Sequence, residues 1–502
     1  MIKYETLPCI NGAVNSDKII PIVFGFLLGL QFKVRFHKLR PLIMRDKRLV
    51  HLMVIGSLLI GVICGTAVHP SSCLASSYPE GKSGWNLAKE IVQRIKEPRF
   101  PNRNFNVCQF GAVGDGKTDC TRGFAEAIME CYRAGGGRVV VPPGTYVCGP
   151  IHLRSGVNLH LERSAIIVFT TNVAAYLPVV FSRFEGVEVM NYSPLVYARG
   201  QSNIALTGKG ILDARDFAKV VHPWAREARV DIERLAQMAA DGVPVEQRVF
   251  GQGHKLRQNF FQPMNCINVL VEGVTFLGSP MWTLNPIYCT NVIIRGVTVI
   301  TEGPNTDGCN PDSCYDILIE DCWFSNGDDC IAIKSGRDHD GRRVNVPSQN
   351  VVIRRCRFAN GHGGVALGSE TAGGIANVFV EDCYFESPDL RMALRWKTNP
   401  ARGGYITNVY FRNCHVKCAR FGIHMTMRYA ASGAKEGDHM PIVSDAYIEN
   451  CRFETLLERP VFIEGHSERG KISRVVIRDC KFGVAPKPGL ITKCYCCPNN
   501  WV

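Results

Sequence analysis

From residue 268 to residue 482 the chain repeats one pattern of apolar and polar positions. An Asn or Asp opens it. Three residues dominated by β-formers follow, then a polar pair, often a cysteine, one further residue and a Phe or Val. It reads NVLVEGVTF from Asn268, NVIIRGVTV from Asn291, DILIEDCWF from Asp316 and NVVIRRCRF from Asn350. It continues as NVFVEDCYF from Asn377, NVYFRNCHV from Asn408, DAYIENCRF from Asp445 and RVVIRDCKF from Arg474. Weaker copies begin at Asn158 and Asn203. The alternation of apolar and polar positions predicts short strands. The Gly and Asn/Asp clusters between them predict turns. A strand-only repeat of 23 to 37 residues predicts an all-β solenoid, a parallel β-helix whose coils stack at about 4.8 Å. Cys322, Cys356, Cys383, Cys414, Cys451 and Cys480 share one repeat position. They are expected as an inward ladder of small apolar side chains, with disulfides between coils as the alternative. The leading Asn residues are expected to form a second ladder at a turn.

Two segments have helical rather than strand spacing. In 124–133, Phe124, Ala127, Ile128 and Cys131 share a face, and Asp119 or Thr121 stands where a cap belongs. This helix is expected to cover the open first coil, which would otherwise expose pairing edges. A second amphipathic helix is expected over 85–96. The charged stretch 214–257, helix-prone over 225–240, interrupts the repeats as an insertion on the side of the solenoid. The expected organisation is an N-terminal extension (1–43), a signal peptide or membrane anchor (44–75) and a linker with a surface helix (76–104). The β-helix domain (105–485) and a tail (486–502) follow.

Composition narrows the class. The 502 residues are 46% apolar and 21% charged, which excludes wholesale disorder. The net charge is +13, of which residues 1–75 supply six. What remains is too weak and scattered for nucleic acid but suits an acidic substrate. The 22 cysteines do not make a disulfide scaffold in so long a chain, and no CxxC pair meets another. Cys494, Cys496 and Cys497 read as part of a loosely packed tail rather than a metal site. Met44 to Arg48 is basic, 49–63 is almost wholly apolar, and small residues follow at Gly65/Ala67 and Cys73/Ala75. That is the pattern of a secretory signal, with an uncleaved anchor as the alternative. It places the protein outside the cell or in the cell envelope.

Polar clusters that break the repeat are the candidates for chemistry: Asn305-Thr306-Asp307, Gly327-Asp328-Asp329, Gly361-His362-Gly363 and Arg395-Trp396-Lys397. Asp328 lies 12 residues after the start of its coil at Asp316, and His362 lies 12 after Asn350. They should therefore stack on neighbouring coils. Asp307, 21 residues before Asp328, should lie on the coil below. Lys334 and Arg395 each lie 18 residues into their coils and should share a face. Taken singly these motifs read as turns and a solvated strand. Their common register changes that, because stacked like charges destabilise a sheet unless they have a task. Clustered carboxylates suggest general acid–base work, with mutual repulsion keeping one of them protonated. That is the toolkit of glycoside hydrolysis, and the adjacent Arg and Lys suggest an anionic substrate.

On these motifs the chain resembles the polygalacturonases, the family-28 glycoside hydrolases. The resemblance covers about residues 105–485: FGAVGDGKTD at Phe110, VVVPPGTY at Val139, SPMWTLNP at Ser279, NTDGCNPDSC at Asn305, NGDDCIAIKSG at Asn326, GHGGVALGSE at Gly361 and RWKTNPARGG at Arg395. It implies a right-handed, single-stranded parallel β-helix and hydrolysis of α-1,4-linked galacturonan with inversion. It implies Asp328 as the general acid and Asp307 and Asp329 as the carboxylates that activate water, about 6.5–9.5 Å from the acid. His362 is then the residue that tunes the acid and contacts substrate, and Arg395 and Lys397 hold the galacturonate carboxylate. Tyr429 matches a substrate-contacting tyrosine, with Asn305, Lys334 and Ser335 as neighbours. Trp396 departs from the aliphatic residue usual there and is expected to point inward. No cofactor or metal is implied, and the expected protein is a monomer whose partner is an acidic polysaccharide or oligosaccharide. The spacing of 33 positions from Asp329 to His362 resembles bacterial members, many of them exo-acting. The long loop and the 214–257 insertion would close one end of the groove. The rivals are a rhamnogalacturonan or xylogalacturonan hydrolase, a calcium-dependent pectate lyase and a β-helix that only binds carbohydrate.

Overall fold

The computed structural model of the chain describes residues 84–430, 436–467 and 469–495. The extension at 1–43, the signal or anchor at 44–75, and Cys496 and Cys497 lie outside them.

The chain winds into a right-handed parallel β-helix. One face is a 13-stranded sheet running in chain order from Asn104–Asn106 to Cys494–Tyr495. The 16-stranded sheet forms two further faces. It doubles back because the 12-residue strand His415–Thr426 pairs with Tyr384–Phe385 on one face and with Met392–Lys397 on the next. Each repeat stacks in register: Val269 lies beside Val292, Val292 beside Ile317 and Ile317 beside Val351. The six repeat cysteines are free thiols, and all but Cys480 are buried. Phe324, Phe358 and Phe385 stack next to them with ring centroids 5.8 and 4.7 Å apart.

The leading Asn ladder also forms. Asn268 donates to Asn203 at 2.9 Å, Asn291 to Asn268 at 2.6 Å and Asn377 to Asn350 at 2.9 Å. All have left-handed backbone, φ between 53° and 62°, a conformation that Asn tolerates better than other non-glycine residues. The fifth residue of the repeat carries a second regularity. Glu272, Arg295, Glu320, Arg354, Glu381, Arg412, Glu449 and Arg478 face one another in unbroken succession. Charge alternates at every coil, so each arginine has a carboxylate beside it, as between Arg295 and Glu320 at 2.7 Å.

Helix α1 (Trp85–Arg94) ends two residues before the expected boundary. It packs on the outer face of the 13-stranded sheet, with Trp85 against Phe379 and Tyr410. Helix α2 (Thr121–Arg133) buries Phe124, Ala127, Ile128 and Cys131 in the core, and Asp119 accepts the Thr121 N–H at 2.9 Å. The insertion holds α3 (Arg215–Val221), α4 (Trp224–Glu227) and α5 (Arg229–Ala240). An antiparallel hairpin (Val180–Phe184 with Val187–Asn191) joins it, as does α6 (Asp338–Val344) in the long loop after Asp329. Buried ion pairs tie these parts together: Arg248 to Asp340 at 2.8 Å, Arg337 to Glu185 at 2.6 Å and Arg183 to Asp312 at 2.9 Å.

Candidate active site

The site rises from successive coils of one face. Single bridges join Cys309 to Ile331 and Asp312 to Lys334, and Ile331 pairs with Val365. Asp307 therefore stands opposite Asp329, and Gly308 donates to the Asp329 carbonyl at 2.9 Å. Asp328 stands opposite His362, whose N–H donates to the Asp328 carbonyl at 3.0 Å. The side chains repeat the pairing, His362 Nδ1 lying 2.9 Å from Asp328 Oδ1. One oxygen from each of Asp307, Asp328 and Asp329 can be chosen so that all three lie within 4.8 Å of one another. This is closer than the separation expected of acid and base. Two of the three are sequence neighbours and the third is one coil away, so the stacking distance sets the spacing.

Asp329 is fully buried, with Arg395 Nη1 2.9 Å from Oδ1 and Lys397 Nζ 2.5 Å from Oδ2. Burial pushes its carboxyl up, but Lys397 and Arg395 outweigh this and hold it well below the usual carboxylate range. The two cations expected to hold substrate are thus anchored first on one of the three clustered carboxylates. Tyr429 caps them, its ring centre 5.6 Å from the Arg395 guanidinium carbon and 5.3 Å from Lys397 Nζ. Gly363 makes room for this arrangement, since a Cβ there would lie 2.7 Å from Asp329 Oδ1. Trp396 points into the core and is 1% exposed.

Lys334 shares the face of Arg395 as expected, two residues along the strand, where it stacks through Gly368 on Lys397. Its ammonium lies 2.8 Å from Glu370, 3.9 Å from Asp307 and 4.4 Å from the centre of the Trp282 ring. Burial and the neighbouring Asp328 charge push Asp307 up to about 8, against the pull of Lys334. Burial also raises Asp328, but the His362 hydrogen bond and Lys397 bring it below its usual value. Burial, with the Asp328 charge beside it, makes Asp307 rather than Asp328 the carboxyl that favours a proton in the free site. Asp307 is the more deeply buried of the two, and Asp328 is the one with an imidazole.

Asn305 accepts from Arg257 Nη2 at 2.6 Å, and Ser335 is buried, its N–H donating to Glu370 at 2.7 Å. The structure therefore joins Asp307, Asp328, Asp329, His362, Lys334, Arg395, Lys397 and Tyr429 in one cluster, with Asn305 attached through Arg257 and Ser335 through Glu370. It adds Glu370, Asn310 (2.7 Å from Asp307), Trp282 and Arg257. The first three stand inside sequence motifs of the site, Glu370 in GHGGVALGSE, Asn310 in NTDGCNPDSC and Trp282 in SPMWTLNP. Arg257 carries no local signal. A cleft of 560 Å³ runs from Asn326 and Gly327 past His362 to Arg391 and Arg420. A larger one of 790 Å³, on the outer face of the 13-stranded sheet, contains none of the expected site residues.

The row containing Asp307 shows where the groove ends. It reads Asn259, Trp282, Asp307, Asp329, Gly363, Met392, Phe421. Asn259 and Trp282 are only 4% and 3% exposed. Trp282 and Met281 lie under Ala228, Leu235 and Ala239 of the insertion and Phe184, Val187 and Val189 of the hairpin. Met392 and Phe421, at the other end, are half-exposed. The groove is walled one coil before Asp307 and open beyond His362.

The profile of Glycosyl hydrolases family 28 matches residues 246–468, and that of Rhamnogalacturonase A/epimerase, pectate lyase-like, matches 104–173. A probable polygalacturonase of Vitis vinifera is 31% identical over 373 residues, covering 70% of each chain. An exo-poly-alpha-D-galacturonosidase of Dickeya chrysanthemi is 27% identical over 357 residues, covering 65% of this chain and 57% of the other. The crystal structure of a hyperthermoactive exopolygalacturonase from Thermotoga maritima superposes with a TM-score of 0.79 at 39% identity, covering 82% of this chain and 94% of that one. With a β-helix, a carboxylate triad and relatives of this similarity, the chain belongs to the family-28 glycosyl hydrolases.

Proposed function

We propose that this enzyme hydrolyses α-1,4-linked galacturonan from a chain end, by inversion. The observation that carries the hydrolytic reading is the triad itself: three carboxylates gathered at one point, Asp307 raised toward the protonated form, faced by Lys334, Arg395 and Lys397. A sugar covering Asp328 strips water from it and disfavours its charge. The proton then moves from Asp307 to Asp328, which delivers it to the glycosidic oxygen as the bond breaks. Asp307, now ionised, and Asp329 polarise the attacking water and take its proton. His362 holds Asp328 in place through the exchange.

Separation alone would favour retention, since retaining carboxylates lie about 5–5.5 Å apart. The hydrogen bonds favour inversion. A retaining nucleophile must bond to the anomeric carbon, yet Asp329 is buried with a cation on each oxygen. Asp307 is also buried, with Asn310 and Lys334 on Oδ2. Asp329 can orient a water but has a cation on each oxygen, whereas Asp307 keeps Oδ1 to accept the proton of a water lying between it and the sugar.

The wall over Trp282 supports attack from a chain end, because a polymer cannot run through it. The names of the Thermotoga and Dickeya relatives support the same reading. The basic-then-apolar pattern of 44–63 supports export to the cell envelope or beyond. The test is product analysis on polygalacturonate, with reducing ends and unsaturated-sugar absorbance followed together in the presence of chelator. Saturated monomer or dimer from the outset is expected. A ladder of saturated oligomers would overturn the chain-end reading, and an unsaturated product would overturn hydrolysis.

A further inference from the structure

The open half of the groove is built from three parallel rows. Its floor is Gly363, Met392 and Phe421. One wall is Ala366, Arg395, His424 and Phe462. The opposite wall lies one residue earlier than the floor on each coil: Asp328, His362, Arg391 and Arg420. Backbone hydrogen bonds fix it there, Arg391 donating to Gly361 at 2.9 Å and Arg420 to Leu390 at 3.0 Å. This wall and its turns enclose the 560 Å³ cleft.

The cations around the triad are committed elsewhere. Arg395 and Lys397 hold Asp329, Lys334 holds Glu370, and Arg257 donates to Pro280, Pro304 and Asn305. Arg391 is different. It is exposed and, among the described residues, its side chain has no ion pair and no hydrogen bond. Arg420, one coil on, is also exposed and shares its charge with Glu458 at 2.5 Å. Asp389 is the acidic residue lining the same cleft.

From this, and resting on the galacturonan reading above, we infer that Arg391, seconded by Arg420, is a specificity-determining residue that reads a free carboxylate on the open-side stretch of the polymer. Its guanidinium can take a carboxylate through two parallel hydrogen bonds. It lines the same cleft as His362, the imidazole paired with Asp328, so a polymer held at His362 can reach it. A methyl ester offers no charge at that point, so the site selects de-esterified galacturonan. A rhamnose, which has no carboxylate, is rejected for the same reason.

The test is calorimetric binding to the full chain carrying Asp328→Asn, with and without Arg391→Gln, using tetragalacturonate and its methyl ester as probes. Arg391→Gln is expected to weaken tetragalacturonate binding about tenfold, the scale of one charge-assisted contact, and to leave methyl-ester binding unchanged. An unchanged tetragalacturonate affinity, or an equal loss for both probes, overturns the inference. The readout is binding, so the two readings fail separately. Selective loss in a protein that releases no sugar keeps Arg391 and removes hydrolysis. Hydrolysis with no selective loss keeps the enzyme and removes this role of Arg391. Failure to bind either probe removes both.

Discussion

Lys334 lies 3.9 Å from Asp307, the carboxyl that carries the triad's proton. A positive charge there favours the ionised carboxyl and so pulls its proton affinity down. Removing the charge should raise it. Lys334→Met alone would strand the buried Glu370, so the perturbation is the pair Lys334→Met with Glu370→Gln. Two unit charges 3.9 Å apart interact by about 4 kcal/mol at an effective dielectric of about 20. That corresponds to about three pH units. Loss of the Glu370 charge offsets part of it, which leaves about one to two. The acid step needs a proton on the triad, so wild-type kcat/KM should fall as pH rises through about 8. In the double variant the fall should move up to about pH 9–10. The assay is initial rates at low substrate from pH 5 to 10 at constant ionic strength. The height of the profile will drop, but the position of its alkaline limb is the measurement. A limb that stays in place or moves down would refute the assignment of the proton to Asp307.

Three further outcomes are expected. Asp328→Asn should lower kcat by about 10²–10⁴-fold, the usual range for a general acid, with binding of tetragalacturonate retained; turnover near wild type would exclude Asp328 as the acid. Proton NMR of the first turnovers should show the released anomer inverted to β, and an initial α product would exclude the water-holding roles given to Asp307 and Asp329. Glu320→Ala removes one buried carboxylate from Arg295, Arg354 and Arg355, at 2.7, 2.7 and 2.8 Å. It should cost about 2–3 kcal/mol in a denaturant titration; a loss below about 0.5 kcal/mol would mean that the charge ladder does not contribute to stability.

Much of the fold was legible because its rules are local. Period-2 alternation in each copy marks the strands, and a cysteine in six of the eight copies, with Val274 and Val297 in the other two, marks the core face. Stacking then converts position in the repeat into position in space. The Asp328–His362 pairing followed from this counting and holds in the structure. The same counting puts Lys334 and Arg395 on one face, which holds, but leaves them two residues out of register, because turns of unequal length lie between coil start and site. The alternating Glu/Arg row stood in plain view at the fifth residue of every copy. Its regularity has physical meaning only once residues 23 to 37 apart become neighbours.

The sequence by itself determined the coil, its core and Asn ladders, and which polar residues break the repeat. Each of these depends on a residue and its immediate neighbours in a pattern that recurs eight times. The tertiary structure decided which carboxylate keeps the proton, which cations are already engaged, and that the groove is walled on one side. Those properties depend on burial and on charges brought together across long stretches of chain. Asp340 meets Arg248 from 92 residues away, and Asp329 meets Lys397 from 68. Dielectric environment and ion pairing arise only where such segments meet, and no local pattern encodes them.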